Sequence, residues 1–374
     1  MINNKLISKF NQNLIIGFIG FSFFFDFIDK IDIFYKADFF KFNRALKFFF
    51  VLYLVFFNAK FFKYIYMNLR HVVYAFVIIS IVFLLKNNYS LLYLNEYIRY
   101  VFVLFVFPLL YHTHTHQNLL PKVHSIFKVF IIINAILILI GFIFEIRVFQ
   151  VYSSQRFGFN GIILSQGVTP YIYLTATILF WFLKDKKMLI LTLLLSIVSG
   201  VKGVYFAEFV CLSLLVLFSE KNSKGFKIKV IVTLSVFFIL SVLIIFSQPT
   251  FRNVINSDGL LSALFSNRTD YTLELLNQIK PDNFNILIGA IDLLKVRLEL
   301  QIIDVVLFFG IIGLLVYFSF FYFIHKEFIK GSVSNIFFFT CLFLSCLSGN
   351  LLYIPFASFL FFTMLLCLSK FYSK

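Results

Sequence analysis

Five charged side chains in the second half of the chain have the chemistry that a transfer reaction at a diphosphate needs. Arg156 and Lys202 stand at the borders of apolar segments, and Arg268 lies within a polar stretch. Glu299 and Asp304 flank the start of a later apolar segment. Cationic side chains bind phosphate oxygens through charge-assisted hydrogen bonds, and a carboxylate can accept the proton of an attacking hydroxyl. On one face of the protein, the three cations could bind a diphosphate and the carboxylates could supply a base.

The two carboxylates are alternatives for that base. Five residues apart on one helix, they are turned about 140° from each other, so they are not expected to face one site. Glu299 stands nearer the water boundary, where an acceptor hydroxyl can reach it. Asp304 lies deeper, where an unpaired charge is costly, and Arg297 is its expected structural partner. We predict that Glu299 is the base, with Asp304 as the alternative.

Each of these residues, taken alone, has a simpler explanation. Interfacial Arg and Lys side chains can extend to lipid headgroups, which would account for Lys202 or Arg156 by itself. Arg156 and Arg268 together on one face are harder to explain without a shared anion. Glu208, inside an apolar run, needs a partner, and we expect Arg156 or Lys202 to provide it.

The composition of the 374-residue chain excludes a water-soluble domain. Hydrophobic residues make up 61% and charged residues 13%, and the mean hydropathy is +0.95. Soluble domains average about 25% charged residues because water must cover their surface. Lipid must therefore cover most of this surface.

Neither nucleic-acid binding nor a metal centre is indicated. The net charge of +16 comes from basic residues in short segments between apolar runs, which is the distribution that fixes membrane orientation. The four cysteines fall inside apolar runs without metal or disulfide spacing. The predicted outer face offers no His, no Cys and no tight Asp cluster, so we predict no metal and no cofactor.

Apolar runs long enough to cross a bilayer predict a single all-α domain over residues 1–374. About twelve transmembrane helices are expected, and residues 199–203 would form a tight turn between two of them. The predicted spans lie near 12–28, 45–62, 72–86, 97–111, 126–145, 161–183, 188–200, 203–219, 229–247, 301–324, 334–350 and 353–369.

The distribution of Lys and Arg predicts the orientation. With the N-terminus inside, the short inner segments hold about twice as many basic residues as the short outer ones. Both termini are then cytoplasmic, and residues 248–300 form one long extracytoplasmic loop. Loops of this length in compact proteins are usually functional.

A resemblance to a known family rests on several motifs that follow one another between Arg156 and Gly313. The motifs are Arg156-Phe157-Gly158-Phe159-Asn160 before a span, the turn Ser199-Gly200-Val201-Lys202-Gly203, Arg268 opening a loop helix, Leu287-Ile288-Gly289, the pair Glu299 and Asp304, and Gly310-Ile311-Ile312-Gly313. In order and in topology they are similar to those of the O-antigen polymerase and O-antigen ligase superfamily of bacterial envelope glycosyltransferases.

The resemblance implies a metal-independent, inverting glycosyltransferase at the outer face of the bacterial inner membrane. Its substrates would be oligosaccharide repeat units carried on undecaprenyl diphosphate, and its product O-antigen, capsule or exopolysaccharide. Arg156, Lys202 and Arg268 would hold the diphosphate. A membrane protein that regulates chain length is an expected partner, beside the lipid bilayer itself.

Two alternatives to a polymerase remain at this point. The ligase branch of the family carries a histidine in the large outer loop, and all six histidines here fall on the predicted cytoplasmic side, which favours the polymerase. An oligosaccharide flippase would be expected to show two similar halves and no large outer loop. The chain also departs from the family pattern, with Lys202 where arginine is common and Ala290 where a second glycine is common.

Overall fold

The computed structural model describes residues 4–36, 91–116, 119–152, 156–220, 222–266, 268–278, 284–290, 297–348 and 350–372, with scattered positions between 45 and 81. Twelve α-helices are defined over these residues. They are α1 Asn4–Tyr35, α2 Leu91–His116, α3 Leu120–Ile143, α4 Thr169–Phe182, α5 Lys186–Ser199, α6 Lys202–Leu217, α7 Lys224–Phe246, α8 Pro249–Phe265, α9 Arg268–Gln278, α10 Gln301–Phe328, α11 Ser332–Ser348 and α12 Pro355–Tyr372. A short 3₁₀ helix covers Arg147–Phe149, and two short strands, β1 Phe284–Asn285 and β2 Gly289–Ala290, pair antiparallel.

The helices are those of a membrane-embedded protein. In the part of the chain that the structure describes, α3, α7 and α10 are long and apolar enough to cross a bilayer, and α4, α11 and α12 are shorter apolar helices. Large apolar side chains such as Leu139 and Leu243 are exposed on the outer faces of the helices. Because water disfavours such faces, lipid must cover them. The all-helical prediction is confirmed, apart from the two short strands, while most of the predicted spans 45–62 and 72–86 lie outside the described residues.

The 14-residue apolar helix α4 lies at the centre of the bundle. Twelve of its fourteen residues are buried, and it packs against α5, α6, α11 and α12. A helix that is apolar all round is expected to be buried in this way. The predicted span 161–183 begins later than expected, at Thr169, because Gly161 has a left-handed φ of 55° and Pro170 opens the helix.

Residues 248–300, predicted as one long loop, contain regular structure. The helices α8 and α9 occupy its first half, and the hairpin of β1 and β2 follows. Gly259 interrupts α8 with φ 89° and ψ 173°, a conformation open only to glycine. The segment is therefore a small folded layer over one end of the bundle.

The hairpin of β1 and β2 supplies hydrogen-bond acceptors at the point where α10 is interrupted. Gly310 has φ 71° and ψ −174°, which stops the helical hydrogen bonds at that point. The amides of Ile311 and Ile312 instead donate to the carbonyls of Ile286 and Leu287, at 2.9 and 3.2 Å. A Cβ on Gly310 would overlap the backbone of Leu287. The Leu-x-Gly and Gly-x-x-Gly motifs are thus two sides of one backbone contact, which holds the folded layer on the bundle.

Candidate functional site

Four of the five predicted site residues line one cavity of about 590 Å³ between the folded layer and the helix ends. Arg156, Lys202, Arg268 and Glu299 are on its wall. Asp304 is not among the residues that line it. Since these four come from separate segments of the chain, only the tertiary structure brings them together.

Two glycine contacts place Arg156 beside the α5–α6 turn. Gly200, with φ 65°, ends α5 in the left-handed conformation that favours glycine. The amide of Phe159 donates to the carbonyl of Val198 at 2.9 Å. A Cβ on Gly158 would lie 2.5 Å from the carbonyl oxygen of Ser199. Backbone therefore lies directly on backbone, and the loop that carries Arg156 is held against the turn that precedes α6.

Arg156 is held by aromatic rings. The carbon of its guanidinium lies 4.8 Å from the ring centre of Tyr152 and 4.1 Å from that of Phe251. Its Nε atom is buried and has no hydrogen-bond partner, and no carboxylate pairs with it among the described residues. Cation–π contacts orient a guanidinium without neutralising its charge. Arg156 is therefore a cation with hydrogen-bonding capacity left for an anion.

Lys202 is engaged differently. Its Nζ donates to the carbonyls of Ala263 and Leu264 at 2.7 and 3.0 Å, and to the hydroxyl of Ser266 at 2.9 Å. An ammonium group has three donors, so all of them are used. These acceptors form the C-terminal end of α8, where a cation is favourable. In this state Lys202 caps α8, and its predicted contact with a diphosphate would require one of these bonds to be exchanged.

Glu299 bridges two arginines. Its Oε2 pairs with Nη2 of Arg268, and its Oε1 accepts from Nη2 of Arg297 at 2.9 Å. Arg297 also donates to the side chain of Asn350 and lies 3.7 Å from the ring centre of Tyr353. Both oxygens of the predicted base are therefore occupied by guanidinium groups. Arg297, which also lines the cavity, was expected to pair with Asp304 and belongs instead to this cluster.

Asp304 has a structural partner, but not the expected one. Its Oδ1 accepts from the backbone amide of Leu298 at 3.0 Å, and its own amide donates to the carbonyl of Leu300 at 2.8 Å. The carboxylate is buried and fastens the turn that leads into α10. The expected Arg297–Asp304 ion pair is not formed, because Arg297 is turned toward Glu299.

The expected partners of Glu208 were also wrong. Its carboxylate accepts from the hydroxyls of Thr177 and Ser196, at 2.8 and 2.7 Å, inside the bundle. Neither Arg156 nor Lys202 bonds to it. The sequence correctly predicted that Glu208 has polar partners, but these partners are hydroxyl groups of α4 and α5 rather than cations.

Tyr152 is a site residue that sequence reasoning missed. It lines the cavity, and burial raises the pKa of its phenol above the ordinary value, while the guanidiniums of Arg156 and Arg268 oppose that rise. The phenol therefore stays neutral and can donate a hydrogen bond near neutral pH. The sequence feature that could have indicated this role is the nearness of Tyr152 to Arg156, four residues later in the chain.

A second cavity, of about 670 Å³, adjoins the first. The two share Tyr152, Lys202, Arg268 and Glu299 among their walls. Away from these residues the second cavity is lined mainly by apolar side chains of α6, α7 and α11, such as Phe206, Phe246 and Leu344. The exposed helix α7 forms one of its sides. We refer to the first cavity as the cationic cavity and to the second, which adjoins it, as the apolar groove.

Comparison with family models, curated proteins and solved structures finds no match to this chain. Within the described ranges, no three His, Cys, Asp or Glu side chains gather into a group that could hold a metal ion. The arrangement offers an anion the guanidinium of Arg156, with the Arg268–Glu299 ion pair and the neutral phenol of Tyr152 lining the same cavity.

Proposed function

We propose that the protein polymerises oligosaccharide repeat units carried on undecaprenyl diphosphate. The observation that supports this proposal is the union of a cationic cavity with an apolar groove. Such a pair of compartments suits an amphiphile whose anionic head is joined to a long apolar tail. The family resemblance of the motifs between Arg156 and Gly313 points to the same substrate class.

The cationic compartment would receive the diphosphate. Arg156 has no anionic partner among the described residues, and Arg268 lines the same cavity. Guanidinium groups bind phosphate oxygens with bidentate geometry and remain charged at every physiological pH. The polyprenyl tail would leave through the groove beside α7, because burial of apolar surface is favourable there.

The chemical step would be a direct displacement at the anomeric carbon. The acceptor hydroxyl forms a new C–O bond while the bond to the diphosphate breaks. The electron pair of that bond leaves with undecaprenyl diphosphate, whose developing charge Arg156 and Arg268 would stabilise. The hydroxyl proton would pass to the carboxylate of Glu299. A positioned base contributes about 10²–10⁴ in rate.

The wider setting is part of the same proposal. About twelve spans, both termini in the cytoplasm and the folded layer of α8 and α9 outside would put the cavity on the outer face of the bacterial inner membrane. A protein that regulates chain length is a partner in this proposal. The polymer would be O-antigen, capsule or exopolysaccharide.

The test is the glycan profile of a strain from which the gene has been deleted. Lipid-linked single repeat units at the outer face, with no longer ladder, would support a polymerase. Finished polymer that stays on its lipid carrier would show a ligase, and repeat units trapped inside would show a flippase.

Complementation with variants then tests the site. Arg156→Ala should restore no ladder at normal protein level, because the diphosphate loses a binding charge. Arg252→Ala is the matched control: this arginine is exposed on α8 and lines neither cavity, so its loss should leave the ladder intact. A full ladder from Arg156→Ala would refute the assignment.

A further inference from the structure

The cation that should bind the diphosphate and the carboxylate that should act as base are paired with each other. Arg268 and Glu299 form an ion pair on the cavity wall, and the other oxygen of Glu299 is held by Arg297. A guanidinium bound to a carboxylate offers fewer donors to a phosphate, and the bound carboxylate oxygen cannot readily accept a proton. The two functions therefore exclude each other in this state.

We propose that Glu299 is an internal competitor for the anion site and that the diphosphate displaces it from Arg268. This inference rests on the proposed function and adds to it an order of events. Binding of the donor diphosphate to Arg268 frees Oε2 of Glu299, which then faces the acceptor hydroxyl. The base becomes available only when the donor is in place.

The geometry favours an exchange at Arg268 rather than at Arg297. The side chain of Arg297 is fixed on three sides, by Glu299, by Asn350 and by the ring of Tyr353. Among the described residues, the contacts of Arg268 beyond its pair with Glu299 are limited to one long hydrogen bond, 3.4 Å to the carbonyl of Leu347. Arg268 therefore gives up less when it turns toward a new anion.

The exposure and the backbone conformation of Glu299 also favour its displacement from Arg268. Its side chain is 39% exposed, the most open of the three partners, and its backbone has a left-handed φ of 57°. A non-glycine residue in that conformation carries strain, which persists where the surroundings enforce it. Arg268 and Arg297 hold its side chain, so release of Arg268 leaves Glu299 tethered by Arg297 but able to move.

The exchange predicts a gain in anion affinity when the competitor is removed. Purified full-length protein would be titrated with inorganic diphosphate by calorimetry. Glu299→Gln should bind it at least about fivefold more tightly than the wild type, because competing occupants of one site weaken each other reciprocally. Glu299→Ala should show the same gain and guards against an effect particular to glutamine.

Two controls separate exchange from a general loss of negative charge. Glu274→Gln removes a second carboxylate that lines the cavity and should change the affinity far less. In an Arg268→Ala background, Glu299→Gln should lose most of its gain, since the contested cation is gone. An equal gain in both backgrounds, or from Glu274→Gln, would overturn the exchange.

The outcomes also distinguish this inference from the proposed function. If the wild type binds diphosphate and Glu299→Gln binds it no better, the exchange is refuted while the anion site stands. If neither the wild type nor any variant binds diphosphate, there is no anion site, and the proposed function fails with the inference.

Discussion

Replacement of Gly310 by alanine should be among the most damaging small changes in the protein. Gly310 has φ 71° and ψ −174°, and alanine in that region costs about 1–3 kcal/mol. The added Cβ would also overlap the backbone of Leu287, so the hairpin must move away. That movement breaks the two hydrogen bonds from Ile311 and Ile312, each worth about 1 kcal/mol. The free energy of unfolding should therefore fall by about 3–5 kcal/mol.

Two other glycines make the test specific. Gly259 has nearly the same backbone conformation, with φ 89° and ψ 173°, but a Cβ added there would meet nothing within 4 Å, so Gly259→Ala bears the strain alone. Gly225 lies in α7, where an added Cβ would also meet nothing within 4 Å, and Gly225→Ala should gain up to about 1 kcal/mol of helix propensity. Gly310→Ala therefore combines backbone strain with steric overlap, Gly259→Ala tests backbone strain alone, and Gly225→Ala tests helix propensity alone.

The assay is thermal denaturation of the detergent-purified protein, followed as the fraction that remains monodisperse after heating. The melting temperature should fall most for Gly310→Ala, less for Gly259→Ala, and not at all for Gly225→Ala. Equal losses for Gly310→Ala and Gly259→Ala would mean that the hairpin contact contributes nothing. The two glycine motifs would then not be what holds the folded layer on the bundle.

The remaining predictions concern orientation, the carboxylates and metal dependence. Single cysteines at the exposed positions Ser257 and Ser223, in a background without native cysteines, should be labelled from opposite sides of the membrane, and labelling from one side would overturn the topology. Asp304→Ala should lower protein abundance because the amide of Leu298 loses its acceptor, whereas Asp304→Asn keeps an acceptor oxygen and should stay stable and active. Glu299→Gln should be stable but transfer little, and a stable, inactive Asp304→Asn beside an active Glu299→Gln would make Asp304 the base. Polymerisation in washed membranes should survive chelation, and a loss that added Mn²⁺ restores would show that a metal is needed.

The sequence alone determined the class of the protein. An apolar, charge-poor composition leaves a chain no means of wetting its surface, so a helical membrane protein follows from solvation alone. The sequence also predicted two helix ends correctly, because a helix end depends mainly on the residues next to it in the chain. Gly200 ends α5 at the predicted tight turn, and Arg268 opens the helix expected for it.

The candidate site could be predicted as a set of residues but not as a set of contacts. Arg156, Lys202, Arg268 and Glu299 do share a cavity. Which groups they bond depends on segments that lie far away in the chain. Lys202 meets the end of α8 across about sixty residues, and no periodicity in the sequence marks that encounter.

Only the tertiary structure decided how the charges are paired. Arg297 and Asp304 have a spacing that favours contact on one helix, but Arg297 precedes α10 and lies in non-helical backbone, so the spacing does not apply. Glu299 takes a left-handed conformation that turns its carboxylate toward two guanidiniums. Helical periodicity predicts neighbours only where the helix exists, and ion pairs form between whichever charges the folded backbone brings within reach.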